Sequence, residues 1–415
     1  MRVLPAALVL GAMLLNFGLC FLKTTGMTVG TMHVAGVELV ILSAAAALAW
    51  RGVSGTQLGA IIGVLVYIGA MRILNPDLDL KIARDLAIPF LFWTLGVVRG
   101  TPQDGDRLVY VAVPLVFAVG LFEFLALDTY QQLFDILGYY IDKGAVEADQ
   151  TTWMSTRLFA NGIRPAGDGR TLFPFLGEHR VSSIFLEPVS TGNFGAIAFL
   201  WLLHRWSERP WLNSAYMGIV FICIVLADAR FGAMVCAIAT FAYLVPLTRH
   251  TRLAFVLPFA VVALLFGKAA LNPAGIIDNG FGGRLLGSGI LLMSWGPAEW
   301  FALAPSPIDT ADSGYGYLIS NLGILPAIAL WTMLIFRRGL PDEATAFRTS
   351  IAIYAALSLS ISGSMFTIKT AALLWFLYGT LCPAQPTEAV TGIRETARTR
   401  LSWASPRGSQ GGARA

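Results

Sequence analysis

The chain is poor in charge, in cysteine and in lysine, and each shortage excludes something. Only 13% of its 415 residues are charged, about half of what a soluble domain needs to cover its surface. Hydrophobic residues make up 56% of the chain, and the mean hydropathy is +0.67. These are the values of a membrane protein. The apolar residues come in long runs, which excludes disorder, collagen-like repeats and a coiled coil. The four cysteines, Cys20, Cys223, Cys236 and Cys382, form no CxxC or Cys/His cluster, so neither a zinc site nor a disulfide framework is expected. The histidines are scattered at 33, 179, 204 and 250. No metal and no other cofactor is therefore expected, and nothing points to nucleic acid. Lysine contributes only 5 of the 29 basic residues and arginine 24. Arginine is the side chain that grips phosphate through a planar fork of donors.

What is present is a series of apolar runs. A bilayer core about 30 Å thick needs about 20 apolar residues in a helix. By that measure about twelve transmembrane helices are expected, near 3–21, 34–50, 57–74, 85–98, 108–127, 189–204, 211–227, 230–247, 253–268, 315–336, 346–364 and 367–382. The first run lacks a small-x-small cleavage signature and reads as a retained span. Lys and Arg crowd one set of short connectors, at Arg51, Arg99, Arg107, Arg205, Arg209, Arg249, Arg252, Arg337 and Arg338. Cytoplasmic loops collect such charge, which puts both termini in the cytoplasm. Residues 1–382 then form one transmembrane domain, followed by a basic tail at 383–415 that reads as disordered and able to touch anionic headgroups. Two long loops, about 128–188 and 269–314, share the outer face, where a pure carrier has little use for them. Amphipathic stretches in the first, 130–141 and 151–160, are expected to lie along the membrane surface.

Candidate chemistry gathers on those loops. Arg157, Arg164 and Arg170 read as ordinary solvated charge. Arg180, Arg230 and Arg284 sit beside membrane boundaries or glycine-rich turns and are the stronger candidates. Arg180 opens a segment leading through Glu187 and Pro188 into the sixth span. A carboxylate and a proline there also suit the first turn of a helix. The turn Ala227-Asp228-Ala229-Arg230-Phe231-Gly232 joins two apolar runs almost without a connector. Ionisable groups so close to hydrocarbon are functional candidates, with an Asp228–Arg230 pair as the structural alternative. Glu123, near the end of the fifth span, invites the same reading. Asn279-Gly-Phe-Gly-Gly283-Arg284 resembles a phosphate nest in a loop, without the Lys-Ser/Thr of a P-loop. Downstream, Asp312-Ser313-Gly314-Tyr315-Gly316-Tyr317 offers a carboxylate and tyrosines suited to sugar hydroxyls, or a helix cap.

This order of elements resembles the O-antigen ligase and polymerase superfamily. The matching elements are a long outer loop ending in Arg180 and Glu187-Pro188, then Asp228-Ala-Arg230-Phe-Gly232, then Gly283-Arg284 and Asp312-Ser-Gly-Tyr-Gly-Tyr317-Leu. The closest similarity is to Wzy-type exopolysaccharide polymerases of the xanthan class, over roughly 110–340. Two features depart from the family pattern. Ala229 stands where Ser commonly precedes the arginine, and the second loop lacks the ligases' histidine, which favours a polymerase.

The resemblance implies an all-α polytopic fold of the GT-C glycosyltransferase class in the bacterial inner membrane. It implies metal-independent transfer, with inversion, of oligosaccharide repeat units carried on undecaprenyl pyrophosphate. A flippase and a chain-length regulator would be partners. Arg180, Arg230 and Arg284 would bind the pyrophosphate. Glu187 and Asp312, with Arg230, would carry the catalysis, and Asn193, Asp228, Tyr315 and Tyr317 would bind substrate. The alternatives are an O-antigen-type ligase and a twelve-helix secondary transporter. The connector Arg51-Gly-Val-Ser-Gly-Thr56 lacks the basic signature of the major facilitator type.

Overall fold

The computed structural model describes residues 3–146, 157–158, 162–164, 170–275, 277, 280–310 and 312–383. The expected tail, apart from its first residue, and nearly all of 151–160 lie outside them. Among the described residues the protein is helical without strands, its only bridge joining Ile163 and His179.

Every segment expected to span is helical. The first nine correspond to α1 (Val3–Thr24), α2 (Thr31–Ala49), α3 (Gly55–Leu74), α4 (Lys81–Arg99), α5 (Pro102–Leu125), then α8 (Pro188–His204), α9 (Pro210–Leu226), α10 (Arg230–Leu244) and α11 (Thr251–Leu271). The last two are α16 (Asp342–Ser358) and α17 (Ile368–Leu381). Five of these, α1, α2, α3, α5 and α11, are by themselves long and apolar enough to cross a membrane. The tenth segment is not one straight span. It is α14 (Gly314–Leu322) and α15 (Ile324–Ile335), bent by 111°. Gly323 makes the break at φ +79°, where a Cβ would also stand 3.1 Å from the Phe301 carbonyl oxygen.

Burial separates a lipid-type belt from a centre. α3 exposes Leu58, Ile62, Leu65, Val66, Ile73 and Leu74, an apolar surface that water would not tolerate. α17 is buried along its whole length, so its apolar residues need no polar face. It crosses α4 through glycines: a Cβ on Gly379 would meet the Trp93 carbonyl oxygen at 2.2 Å, and one on Gly96 the Phe376 oxygen at 2.4 Å. Backbones approach this closely only where side chains are missing. The molecule is thus a multi-pass helical protein of membrane type.

Both long loops contain helices among their described residues. In the first, α6 (Leu127–Leu133) and α7 (Ile136–Asp142) pack against the bundle. Tyr130, Ile136 and Tyr139 are fully buried, and Tyr139 donates to Asn16 of α1 at 2.8 Å. In the second, the expected loop nest is the helix α12 (Phe281–Met293), followed by the short α13 (Pro297–Trp300). Gly289 serves helix contact rather than loop conformation. A Cβ on Gly289 would strike the Leu265 carbonyl oxygen of α11 at 2.3 Å. Asn279 of that motif lies outside the described residues.

Candidate functional site

The first loop returns to the bundle through a chain of buried polar contacts. Glu123 of α5 has no exposed surface and accepts from the backbone N–H of Ser182 and Ser183 at 2.6–3.0 Å, with His179 Nε2 at 3.1 Å. Glu123 is therefore an anchor, and three bonds to one carboxylate satisfy the cost of burying it. The Val181 N–H donates to the Leu226 oxygen. Arg170 donates to the carbonyls of His179, Val225 and Leu226, capping the end of α9. The loop is stitched onto the α9–α10 turn.

That turn holds Asp228 at φ +46° with no exposure. Its Oδ2 accepts from Arg164 Nε at 2.9 Å and Nη2 at 2.6 Å, while Oδ1 accepts from the Thr171 and Leu172 N–H groups. Arg164 and Arg170 are engaged and not the solvated loop charges their setting suggests. The turn is tight because α8 and α10 nearly touch. A Cβ on Gly232 would lie 2.7 Å from the Gly192 oxygen, and one on Gly192 would lie 2.3 Å from Ala229 Cβ.

Around this turn the three expected arginines share one electrostatic neighbourhood. Arg180, 6% exposed, donates through Nε to the Ala227 oxygen at 3.2 Å. Burial pushes its guanidinium down to about 9, Arg164 adds to the effect, Asp228 opposes it, and Arg230 and Arg284 lower it further. Arg230 is the first residue of α10 and Arg284 stands in the first turn of α12. Arg284 Nη1 lies 3.4 Å from Asp312 Oδ1, whose side chain is 62% exposed. Arg230 and Arg284 thus lie close enough to Arg180 to act on its charge, beside a buried carboxylate, Asp228, that is already bound to Arg164. Such an arrangement can receive a multiply charged anion, each fork matching a phosphate edge.

Glu187 belongs to a different cluster. It stands at the N-cap position of α8 without a capping bond of its side chain. Its carboxylate accepts from Lys369 Nζ at 2.7 Å, Tyr140 Oη at 2.6 Å and Ser190 Oγ at 2.8 Å. Burial opposes its charge, but Lys369 and these donors hold the carboxyl down at about 2. Lys143 lies nearby, stacked over the Tyr139 and Tyr140 rings. Burial and the charge of Lys369 push its amine down to about 8, against the pull of Glu187 and Glu38.

Of the expected sugar-binding residues, Tyr317 joins this second region. It donates to Asp85 Oδ2 at 2.8 Å, and Asp85 pairs with Arg84, which also pairs with Glu38. Tyr315 is buried and donates to the Ala356 oxygen, and Asn193 is 1% exposed between the Tyr354 hydroxyl and the Val189 carbonyl. Both hold helices together. Ser313, not Asp312, caps α14 by accepting from the Gly316 N–H, which leaves Asp312 outside the helix. Among the described residues no group of three or more His, Cys, Asp or Glu is placed to hold a metal ion.

The sequence alone gives no role to Lys369, Lys143 and Tyr140, and it reads Arg164 as solvated charge. Lys369 carries a usable signal, since a lone lysine opening an apolar run needs a buried partner. Arg164 carries none, because its partner is 64 residues away. No family model, no curated protein and no solved structure matches the chain.

Proposed function

We propose that the protein is a membrane glycosyltransferase that joins lipid-pyrophosphate-linked oligosaccharide units into a polysaccharide. In this reading all twelve helical segments cross or enter the inner membrane in a GT-C-type arrangement. Both termini are cytoplasmic, and the arginine cluster faces outward. The single observation that carries the reading is the convergence of Arg180, Arg230 and Arg284. Each stands out separately in the sequence, and Arg230 and Arg284 both act on the charge of Arg180 beside the Asp228 turn.

The reaction asks little else of the protein. Pyrophosphate is already a good leaving group, so the need is to neutralise its charge and to aim the attacking hydroxyl. The bond from the anomeric carbon to the pyrophosphate oxygen breaks as a bond to the acceptor hydroxyl oxygen forms. The departing charge goes to the guanidiniums and the hydroxyl proton to a carboxylate. Asp312 suits that last role better than Glu187: it is exposed, and among the described residues its carboxylate pairs with Arg284 alone, at 3.4 Å. Glu187 is already bound to a lysine, a tyrosine and a serine. An arginine that turns toward pyrophosphate also releases Asp312 to accept a proton.

The test replaces Arg180, Arg230 or Arg284 by Ala in cells that make the polymer. Each variant is expected to leave single repeat units on the lipid carrier while its membrane level stays normal. Polymer of unchanged length from stably inserted variants would overturn the assignment.

A further inference from the structure

At the end of the bundle opposite the Asp228 turn, a second arginine pair has no carboxylate. Arg348 of α16 is 3% exposed, donating to the Arg337 oxygen at 2.9 Å and to Thr251 Oγ1 at 3.4 Å. Its Nε has no hydrogen-bond partner among the described residues. Arg337, in the connector after α15, stacks its guanidinium over the Trp93 ring at 4.2 Å. Neither arginine forms an ion pair among the described residues, unlike Arg205 at the same end, which has Asp106 and Glu343.

The surrounding groups are donors too. The Tyr378 hydroxyl, on a residue 1% exposed, lies beside Arg348, and it and the Trp93 indole have the neutral Cys382 thiol as their neighbouring acceptor. The indole N–H of Trp375 has no hydrogen-bond partner among the described residues. Sulfur is a weak acceptor, and native proteins rarely leave buried donors so poorly matched. What the place lacks is an acceptor carrying negative charge.

We propose that Arg337, Arg348, Trp93 and Tyr378 form a binding site for the phosphate of an anionic phospholipid. The position selects a lipid. Arg337 lies just beyond the end of α15 and Tyr378 within the last turn of α17, at the depth where headgroups meet helix ends. Met333 and Phe336, 66% and 45% exposed, provide apolar surface for acyl chains next to the pair. Basic pockets between helices at the positively charged end of a membrane protein are suited to such headgroups. The guanidinium edges would bind phosphate oxygens while Trp93 holds the Arg337 plane. The site is independent of the proposed transferase activity.

The experiment is native mass spectrometry and thermal unfolding of the purified full chain. Phosphatidylglycerol is compared with phosphatidylcholine of the same acyl chains, and a separate arm uses millimolar inorganic phosphate. The expected result is retention and a Tm increase with phosphatidylglycerol only. Arg337→Gln should weaken that binding about tenfold, the loss of one charge-assisted contact, with Arg337→Lys intermediate. Arg348→Gln is expected to act in the same direction, and Arg337, half-buried at the rim, keeps the test readable if the buried variant does not fold. Equal retention of both lipids, an unchanged Arg337→Gln variant, or an equal Tm shift from inorganic phosphate would each overturn the proposal.

Discussion

Arg164 places both Nε and Nη2 on one oxygen of Asp228, 64 residues further along the chain, at 2.9 and 2.6 Å. This fork ties the first long loop to the turn that launches Arg230. It leaves Asp228 satisfied, so the neighbouring Arg180 keeps a positive field that the aspartate only partly offsets. Asp228 therefore acts as the keystone of the arginine cluster, and a role in gripping substrate is secondary to that.

Asp228→Asn should cost about 3 kcal/mol, because it leaves a buried arginine with half of its partner. Limited proteolysis in membrane vesicles is expected to cleave the loop at 143–180 faster than in the native protein. An unchanged cleavage rate would show that the fork does not hold the loop.

Asp312→Asn and Glu187→Gln separate the two carboxylates. With Asp312 as proton acceptor, its variant should lower polymer synthesis about 100-fold or more at normal protein level. Glu187→Gln is expected to lower the amount of folded protein, with synthesis per folded molecule nearly retained. Quantifying polymer per inserted molecule distinguishes the two, and the reverse pattern would return the role to Glu187.

The Glu187–Lys369 pair gives a pH signature. The folded carboxyl titrates at about 2, below its ordinary value of 4.5, so the folded state binds the proton less readily than the unfolded one. Stability from this pair is fully present above 4.5 and is lost as pH falls from 4.5 toward 2. Native protein should therefore lose Tm over that window, and Lys369→Met should be destabilised at neutral pH with a flatter acid profile.

Lys143 is shifted downward as well, which for a cation disfavours the charged form. Its folded amine is pushed down to about 8 from 10.5, so stability rises with pH between those values. A larger fraction of it is neutral near pH 8 than of an exposed lysine. Mass-spectrometric mapping of acylation by an amine reagent at pH 8 should find Lys143 modified ahead of Lys81 and Lys268. Glu187→Gln, which removes a neighbouring negative charge, should lower the Lys143 amine further.

Gly232→Ala tests the contact under Arg230. The added Cβ would sit 2.7 Å from the Gly192 oxygen, and overpacking of this size costs about 1–3 kcal/mol. Polymer synthesis should fall more than the protein level does, since α8 and α10 must part to accommodate the methyl and Arg230 moves with α10.

Legibility of the fold followed the range of the forces involved. Apolar runs such as Gly55–Leu74 declare their helices locally, because lipid-facing helices must satisfy their own backbone and need nothing from the rest of the chain. The helix at Phe281–Met293 was hidden because its glycines imitate a loop, and only the packing of α11 against Gly289 gives one of them a helical role. The kink at Gly323 was hidden for a related reason, since hydropathy carries no information about direction.

The same division applies to the candidate site. The sequence by itself determined which arginines are unusual, because a charge next to hydrocarbon is costly wherever the chain goes. It thereby singled out Arg180, Arg230 and Arg284. Only the tertiary structure decided that Arg230 and Arg284 act on the charge of Arg180, that Arg164 places two donors on Asp228, and that Glu187 is held by Lys369. Those pairings join residues 64 and 182 positions apart, and Coulomb forces between such groups exist only after packing has brought them within a few ångströms and removed the water between them.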